Sequence, residues 1–154
     1  MNAASRPAPA REDAELPVVT DLADLARLVQ RHGRDIYVRW SKGPAVDRGS
    51  QSRDDLTGVE LPGLSASALA VEDWWRGRSL DLWVARRLYD YRHLRDRRGA
   101  RPWLLLGSVV GRGPDNEPLV RCDRPLAWIA EEVISESERL IDEQAGAWGT
   151  LDRE

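Results

Sequence analysis

Residues 101–120, "RPWLLLGSVVGRGPDNEPLV", have the pattern of a strand, a turn and a second strand. The run "RPWLLLG" is short and continuously apolar, which predicts a strand buried on both faces. The segment "GRGPDNEPLV" gathers glycine, proline, Asp and Asn, the residues that form tight turns. "PLVRC" predicts the next strand, with Pro118 at its start because proline cannot donate to a strand ladder.

Upstream of this hairpin, the apolar periodicity changes from that of a helix to that of a strand. A helix is predicted after Asp21, a suitable N-cap, and Gly33 marks its end. The residues with helical spacing are Leu22, Leu25, Ala26 and Val29. The alternation in "DIYVRW" then predicts a half-buried strand whose polar face carries Tyr37 and Arg39.

Two further helices are predicted downstream. The pattern of residues 80–98 predicts the longest helix, and that of residues 125–144 predicts a C-terminal helix with Pro125 in its first turn. Residues 41–63 have no period and predict a long loop, which in a compact domain is usually functional or disordered. A short extended piece is expected after this loop, around Ser65.

These elements predict an α+β protein of one domain, with a small mixed or antiparallel sheet and three to four helices. At 154 residues the chain is long enough to bury a core. Residues 1–16 are rich in Ala, Pro and charge and lack the apolar segment of a signal peptide, which predicts a disordered leader. Residues 17–146 are expected to form the domain, and residues 147–154 a flexible tail.

The composition argues against several classes of protein. A net charge of −3 is unusual for a dedicated nucleic-acid binder. The chain has no run of about 18 apolar residues, the length that predicts a membrane span. A single cysteine, Cys122, allows no intramolecular disulfide, which is typical of the cytoplasm. Two histidines and one cysteine predict no metal site. We therefore expect a soluble cytoplasmic protein.

Three polar residues stand at strand edges where structure alone does not demand them: Arg39, Ser65 and Glu117. A guanidinium can hold a phosphate through two parallel hydrogen bonds, and a hydroxyl can both donate and accept. A carboxylate can bind a ribose hydroxyl and stabilise the positive charge that develops as a glycosidic bond breaks. Together they predict a site for an anionic, ribose-containing substrate, with Tyr37 beside Arg39 as a further binding residue.

Each of these three residues also has a purely structural interpretation. Arg39 could face solvent or pair with an acidic neighbour, and Ser65 could cap a nearby backbone group in a turn. Glu117 could be a surface turn residue, with Asp115 and Asn116 shaping the turn through side-chain hydrogen bonds. The sequence leaves both interpretations open.

A second candidate surface consists of Trp74 and Trp75 in "EDWWRG", together with the Arg-rich helix 80–98. Trp and Arg dominate interface hot spots, so this surface predicts a non-catalytic protein-interaction or regulatory module. The structural alternative is a core anchor, with one Trp buried and one half-exposed. Arginines could also contact nucleic acid, but Asp90 and Asp96 interrupt them, and the exposed face of a core helix fits the pattern better.

Five segments of the chain resemble a family of small actinobacterial proteins that consist of a domain of unknown function. The segments are "YVRWSKGP", "DDLTGVELPGLSA", "LWVARRLYDYRHL", "GRGPDNEPLV" and "LAWIAEEVI". They fall within residues 36–134, most of the chain that is expected to be ordered. The resemblance implies a bacterial cytoplasmic protein and supplies no activity.

The order Arg39, Ser65, Glu117 is also similar to the Arg–Ser–Glu pattern of one class of ADP-ribosyltransferases and related NAD-cleaving toxins. The resemblance implies that Arg39 binds the NAD diphosphate or ribose and that Ser65 supports the nicotinamide pocket. Glu117 would stabilise the oxocarbenium-like transition state, and Asp115, two positions earlier, would help to choose the acceptor. The usual Ser-Thr-Ser of that family is Leu-Ser-Ala-Ser here.

This resemblance makes NAD a substrate and implies no bound cofactor. The predicted partner is therefore a nucleotide ligand or, for the alternative function, a protein. Neither nucleic acid nor a membrane is expected as a partner.

Overall fold

The computed structural model describes residues 14–48, 63–75, 78–96, 99–114 and 116–148. Within these ranges the chain has the predicted α+β architecture, with four α-helices and one mixed sheet. The strands are β1 (Val18–Val19), β2 (Ile36–Ser41), β3 (Leu64–Ser65), β4 (Ser67–Ala68), β5 (Arg101–Arg112) and β6 (Pro118–Ile129). The helices are α1 (Leu22–His32), α2 (Pro44–Arg48), α3 (Leu80–Asp90) and α4 (Glu131–Trp148). Short 3-10 turns occupy Gly33–Asp35, Asp73–Trp75 and Arg92–Asp96.

The sheet is curled and has the strand order β1-β6-β5-β2-β4, and β3 pairs with β6 outside this order. β1 runs parallel to β6, and the other neighbouring strands are antiparallel. β4 pairs with β2, while β3, directly before it in the chain, pairs with β6. The short segment of residues 64–68 therefore joins the two sides of the curl and gives the sheet a closed interior.

The hairpin predicted from residues 101–120 is confirmed, and both strands are longer than expected. The predicted start of the C-terminal helix at Pro125 is wrong, because β6 continues to Ile129 and α4 begins at Glu131. Pro125 lies opposite Leu105, next to a shift in register between Leu104 and Leu105. An irregularity of the ladder is a place where a strand tolerates a residue without an N–H group.

The predicted helix after Asp21 is confirmed as α1, and the Asp21 carboxylate accepts a hydrogen bond of 2.8 Å from the backbone N–H of Asp24. The helix predicted over residues 80–98 is shorter, since α3 ends at Asp90 and a 3-10 turn follows. At this end the Arg92 guanidinium donates to the carbonyl of Tyr89 at 2.7 Å and so satisfies an acceptor of the last helical turn.

Apolar side chains are buried on both faces of the sheet. The outer face of β2 and β5 packs against α1, α3 and α4 in the main core, as Ile36, Val38 and Leu104 illustrate. The inner face of the curl holds a second, largely aromatic cluster, composed of Tyr37, Ala66, Trp103, Leu105, Val120 and Trp128. This arrangement agrees with the expectation that β5 is buried on both sides.

The long loop predicted for residues 41–63 contains α2, and its residues 49–62 lie outside the part of the chain that the structure describes. Most of the predicted leader, residues 1–13, and most of the predicted tail, residues 149–154, also lie outside it. None of the helices described above has the length and apolar character needed to span a membrane.

Candidate functional site

Arg39 lies on the inner face of β2 and forms a buried ion pair. Its Nε is 2.6 Å from Oδ2 of Asp47 in α2, and its Nη2 is 3.5 Å from Oδ1 of the same carboxylate. Only 14% of the Arg39 side chain and 8% of the Asp47 side chain are exposed. The alternative in which Arg39 pairs with an acidic neighbour is thus the arrangement that the chain adopts.

The ion pair belongs to a larger polar network inside the curl. The hydroxyl of Ser41 donates to Oδ2 of Asp47 at 2.6 Å and accepts from the Nε1–H of Trp103 at 2.9 Å. The backbone N–H of Gly43 also donates to this hydroxyl oxygen, at 3.1 Å. A buried ion pair destabilises the fold unless the remaining donors and acceptors of both side chains have hydrogen-bond partners. The Ser41 hydroxyl is one such partner of the Asp47 carboxylate.

Ser65 meets Arg39 through its backbone. The Nη1 of Arg39 donates to the carbonyl oxygen of Ser65 at 2.7 Å, across 26 positions of sequence. In the β3–β6 register, Ser65 lies opposite Leu119. Two of the three residues proposed for an NAD site therefore come together, through a hydrogen bond to the main-chain carbonyl of Ser65.

Glu117 lies at the base of the hairpin turn. The backbone of Gly113 donates to the Glu117 carbonyl at 2.9 Å, and Asn116, with a φ of 64°, donates to the Gly113 carbonyl at 2.9 Å. A Cβ at Gly113 would overlap the carboxyl group of Glu117, so this carboxyl lies directly against the turn. The Gly and Asn residues of "GRGPDNEPLV" therefore have structural roles, while Asp115 lies outside the described residues.

Tyr37 lies in the aromatic cluster inside the curl and is only 6% exposed. Burial is the main cause that raises the pKa of its phenol above the ordinary value of 10.0. The Asp35 carboxylate raises this pKa further, and the Arg112 guanidinium opposes the shift. The phenol therefore stays protonated at neutral pH and can act as a neutral hydrogen-bonding group.

The second candidate surface is a cluster of three indoles. Trp74, Trp75 and Trp83 contact one another edge to face, with ring centroids 5.3–5.8 Å apart. Trp75 and Trp83 are buried, whereas Trp74 is 54% exposed. The Nε1–H of Trp74 donates to the Glu72 carboxylate at 2.8 Å, which fixes the orientation of the exposed ring. One Trp is thus buried and the next half-exposed, as the structural alternative expects, and the exposed ring has a rigid base.

The arginines of the α3 region have contacts that hold the fold together. Arg87 lies over the ring of Trp83 at 5.6 Å and donates from Nε to the carbonyl of Ala68 at 3.2 Å. Arg92 lies 3.6 Å from the ring centroid of Tyr89 and pairs with Glu138 of α4 at 3.5 Å. These contacts support the interpretation of helix 80–98 as part of the core, with its arginines at the edge.

The comparison with known proteins adds one finding. Residues 12–149 match the model of a family described as "Family of unknown function (DUF6098)". The chain belongs to this family. No curated protein and no solved structure matches it. The resemblance to ADP-ribosyltransferases gains no support from the match, because the DUF6098 model carries no activity.

Several residues that build these sites in the DUF6098 chain are not marked by the sequence pattern. Asp47, Ser41 and Trp103 complete the network of Arg39, and Trp83 supports Trp74. Of these residues, only Trp83 has a sequence pattern that indicates its position, because it lies on the apolar stripe of α3, nine positions after Trp74. Among the residues that the structure describes, no group of three or more His, Cys, Asp and Glu side chains could hold a metal ion.

Proposed function

We propose that this chain is a non-catalytic protein-interaction module whose anchor is Trp74. The observation that carries the proposal is a large ring exposed over 54% of its surface, yet fixed on two buried indoles. A ring held in one orientation loses little conformational entropy when a partner covers it, and Trp is enriched among the residues that dominate binding energy.

The neighbouring residues extend this surface. Residues 71–74 are exposed one after another, and Val71 adds a second apolar side chain with 43% exposure. Glu72 and Asp73, both exposed, lie between these two residues in the sequence, and the Glu72 carboxylate accepts from Trp74. This pattern of an apolar anchor with a polar rim suits a partner protein that presents an apolar side chain flanked by basic residues.

The experiment compares three immobilised proteins in capturing partners from a cell extract: the wild type, Trp74→Ala and Val46→Ala. Val46 is the matched control because it is 48% exposed and lies in α2, outside the indole cluster. A specific partner is retained by the wild type and by Val46→Ala and is lost with Trp74→Ala. With that partner purified, we expect Trp74→Ala to weaken binding by about 30-fold or more, equivalent to about 2 kcal/mol.

Two outcomes count against the interaction module. Retention of the same proteins by Trp74→Ala would show that the ring is not the anchor. A dimer of the wild type in analytical ultracentrifugation that Trp74→Ala abolishes would show that a second copy covers the ring. Trp74→Ala should stay folded at 25 °C, because only about half of its ring is buried, and a thermal scan checks this.

The second candidate function is NAD cleavage of the ADP-ribosyltransferase type. One observation favours it: Arg39 reaches Ser65, and Glu117 directly precedes the strand to which Ser65 pairs. It ranks second because the guanidinium already neutralises Asp47, so binding a diphosphate would require that buried pair to break. Incubation with NAD tests it, since release of nicotinamide that Glu117→Gln abolishes would establish the activity.

A further inference from the structure

The segment that closes the sheet, residues 64–68, is held by far less backbone pairing than the strands that it joins. β3 and β4 are two residues long each, whereas β2 and β6, the strands with which they pair, have six and twelve residues. Between β3 and β4, the backbone N–H of Ala66 donates to the carbonyl of Pro118 at 3.3 Å. Segments with few backbone hydrogen bonds open locally before the rest of a domain unfolds.

Of the apolar side chains in this segment, two are alanines, and the third, Leu64 at the β3 end, is buried with 8% exposure. Ala66 and Ala68 belong to the inner cluster, and they lie over Tyr37, Trp103 and Trp128. A methyl group buries little apolar area compared with an indole, so the two alanines contribute few apolar contacts. Leu64 therefore supplies most of the apolar attachment of the segment, and it lies at the end that Arg39 holds.

A buried polar contact holds one end of the segment. Arg39, fixed by Asp47, donates to the carbonyl of Ser65 at 2.7 Å. The other end is anchored at Ala68, whose carbonyl accepts from Nε of Arg87 at 3.2 Å, and at Leu69, which is completely buried in the main core. The backbone N–H of Leu69 donates to the carbonyl of Ile36 at 3.2 Å, and its own carbonyl accepts from Nε1 of Trp83 at 3.0 Å.

We infer that residues 64–68 form a flap, hinged at Leu69 and latched by the Arg39–Asp47 pair, that opens over the aromatic interior of the sheet. The latch is a charged pair whose guanidinium binds a main-chain carbonyl, so its release leaves the β3 end held only by the burial of Leu64 and the short pairing with β6. Leu69 keeps its burial and both of its hydrogen bonds when that happens. Opening gives a ligand with an apolar ring access to the inner cluster. This inference does not depend on the role of Trp74.

Amide hydrogen exchange of the full chain, followed by NMR, tests the flap at single residues. The double variant Arg39→Met/Asp47→Asn removes the latch without leaving a buried charge, and the side-chain amide introduced by Asp47→Asn can still accept from Ser41. We expect the amide of Ala66 to exchange at least about tenfold faster in this variant than in the wild type. The amide of Leu69 should change less than about twofold, because the hinge remains anchored.

Ser65→Ala is the matched control, since it removes the hydroxyl and keeps the carbonyl that Arg39 binds. It should accelerate the exchange of Ala66 less than the latch variant does. Equal acceleration of Ala66 and Leu69 in the latch variant would overturn the inference, because it would mean that the whole domain is destabilised. Unchanged exchange of Ala66 in that variant would overturn it as well, because the ion pair would then not be a latch.

Discussion

Two buried tryptophans with different hydrogen bonding give a quantitative test of this structure. Nε1 of Trp83 donates to the carbonyl of Leu69 at 3.0 Å, whereas Nε1 of Trp40 is buried without a hydrogen-bond partner among the described residues. Replacing either residue by Phe removes the same ring atoms and the same N–H group. The loss of packing is therefore similar, and the two variants differ mainly in what happens to the hydrogen bond.

The expected difference follows from the cost of an unsatisfied buried polar group, about 1–3 kcal/mol. Trp83→Phe leaves the Leu69 carbonyl without this donor and incurs that cost. Trp40→Phe removes a buried N–H group that had no hydrogen-bond partner, so the free-energy cost of burying that group disappears. We expect Trp83→Phe to be less stable than Trp40→Phe by on the order of 2 kcal/mol, which lowers its Tm by about 4–8 °C relative to the other variant.

Urea denaturation followed by circular dichroism at about 222 nm measures both free energies of unfolding, and equal m-values confirm that the unfolded states are comparable. Trp103→Phe serves as an additional control, because its Nε1–H donates to a hydroxyl of Ser41 that can rotate to another partner. Equal stability of Trp40→Phe and Trp83→Phe, or a lower stability of Trp40→Phe, would show that the hydrogen bond of Trp83 does not stabilise the fold in this way.

Three further predictions concern the sheet. Gly107→Ala should lower the free energy of unfolding by about 1–3 kcal/mol in urea, because the new Cβ would overlap Val120 and the backbone of the opposite strand. Asn116→Val should cost about 1–2 kcal/mol in the same assay, whereas Asn116→Gly should be nearly neutral, because the φ of 64° suits glycine and not a β-branched residue. Because the pKa of the Tyr37 phenol is raised in the folded chain, the unfolded chain releases the phenol proton at a lower pH than the folded chain does. Ionisation of Tyr37 therefore does not affect the free energy of unfolding below about pH 10, and it lowers that free energy as the pH rises through and beyond this value. Denaturation between about pH 9 and 11 should therefore show a smaller loss of stability in Tyr37→Phe than in the wild type.

The elements that the sequence predicts well are those set by local signals. Asp21 caps α1 and Gly33 ends it, because an N-cap carboxylate and a positive φ need only their immediate neighbours. The hairpin around Gly113 and Asn116 is equally local. Pro125 is the exception, because a proline after a polar stretch also suits a helix start, and only the pairing with Leu105 makes it part of β6.

The candidate site depends on contacts that no local pattern encodes. Arg39 meets Ser65 because β3 closes the curled sheet, and this closure is decided by the pairing of β3 with β6. Asp47 lies eight positions after Arg39 in a stretch without periodicity, so nothing in the sequence marks it as the partner of the guanidinium. The roles of Arg39, Ser65, Glu117 and Tyr37 in substrate binding or catalysis stay predictions.

The outer edge of β6 has a consequence for the behaviour of the protein at high concentration. β3 pairs with this strand at Leu119 and Val120, and β1 pairs with it at Trp128 and Ile129. Residues 121–127 have no strand partner on that edge within the described part of the chain. Proline at position 125 and exposed charges at 121, 123 and 124 make this stretch a poor template for strands of other molecules. We therefore expect this edge to resist the addition of strands from other molecules, and Pro125, which lies beside the shift in register, contributes to that resistance.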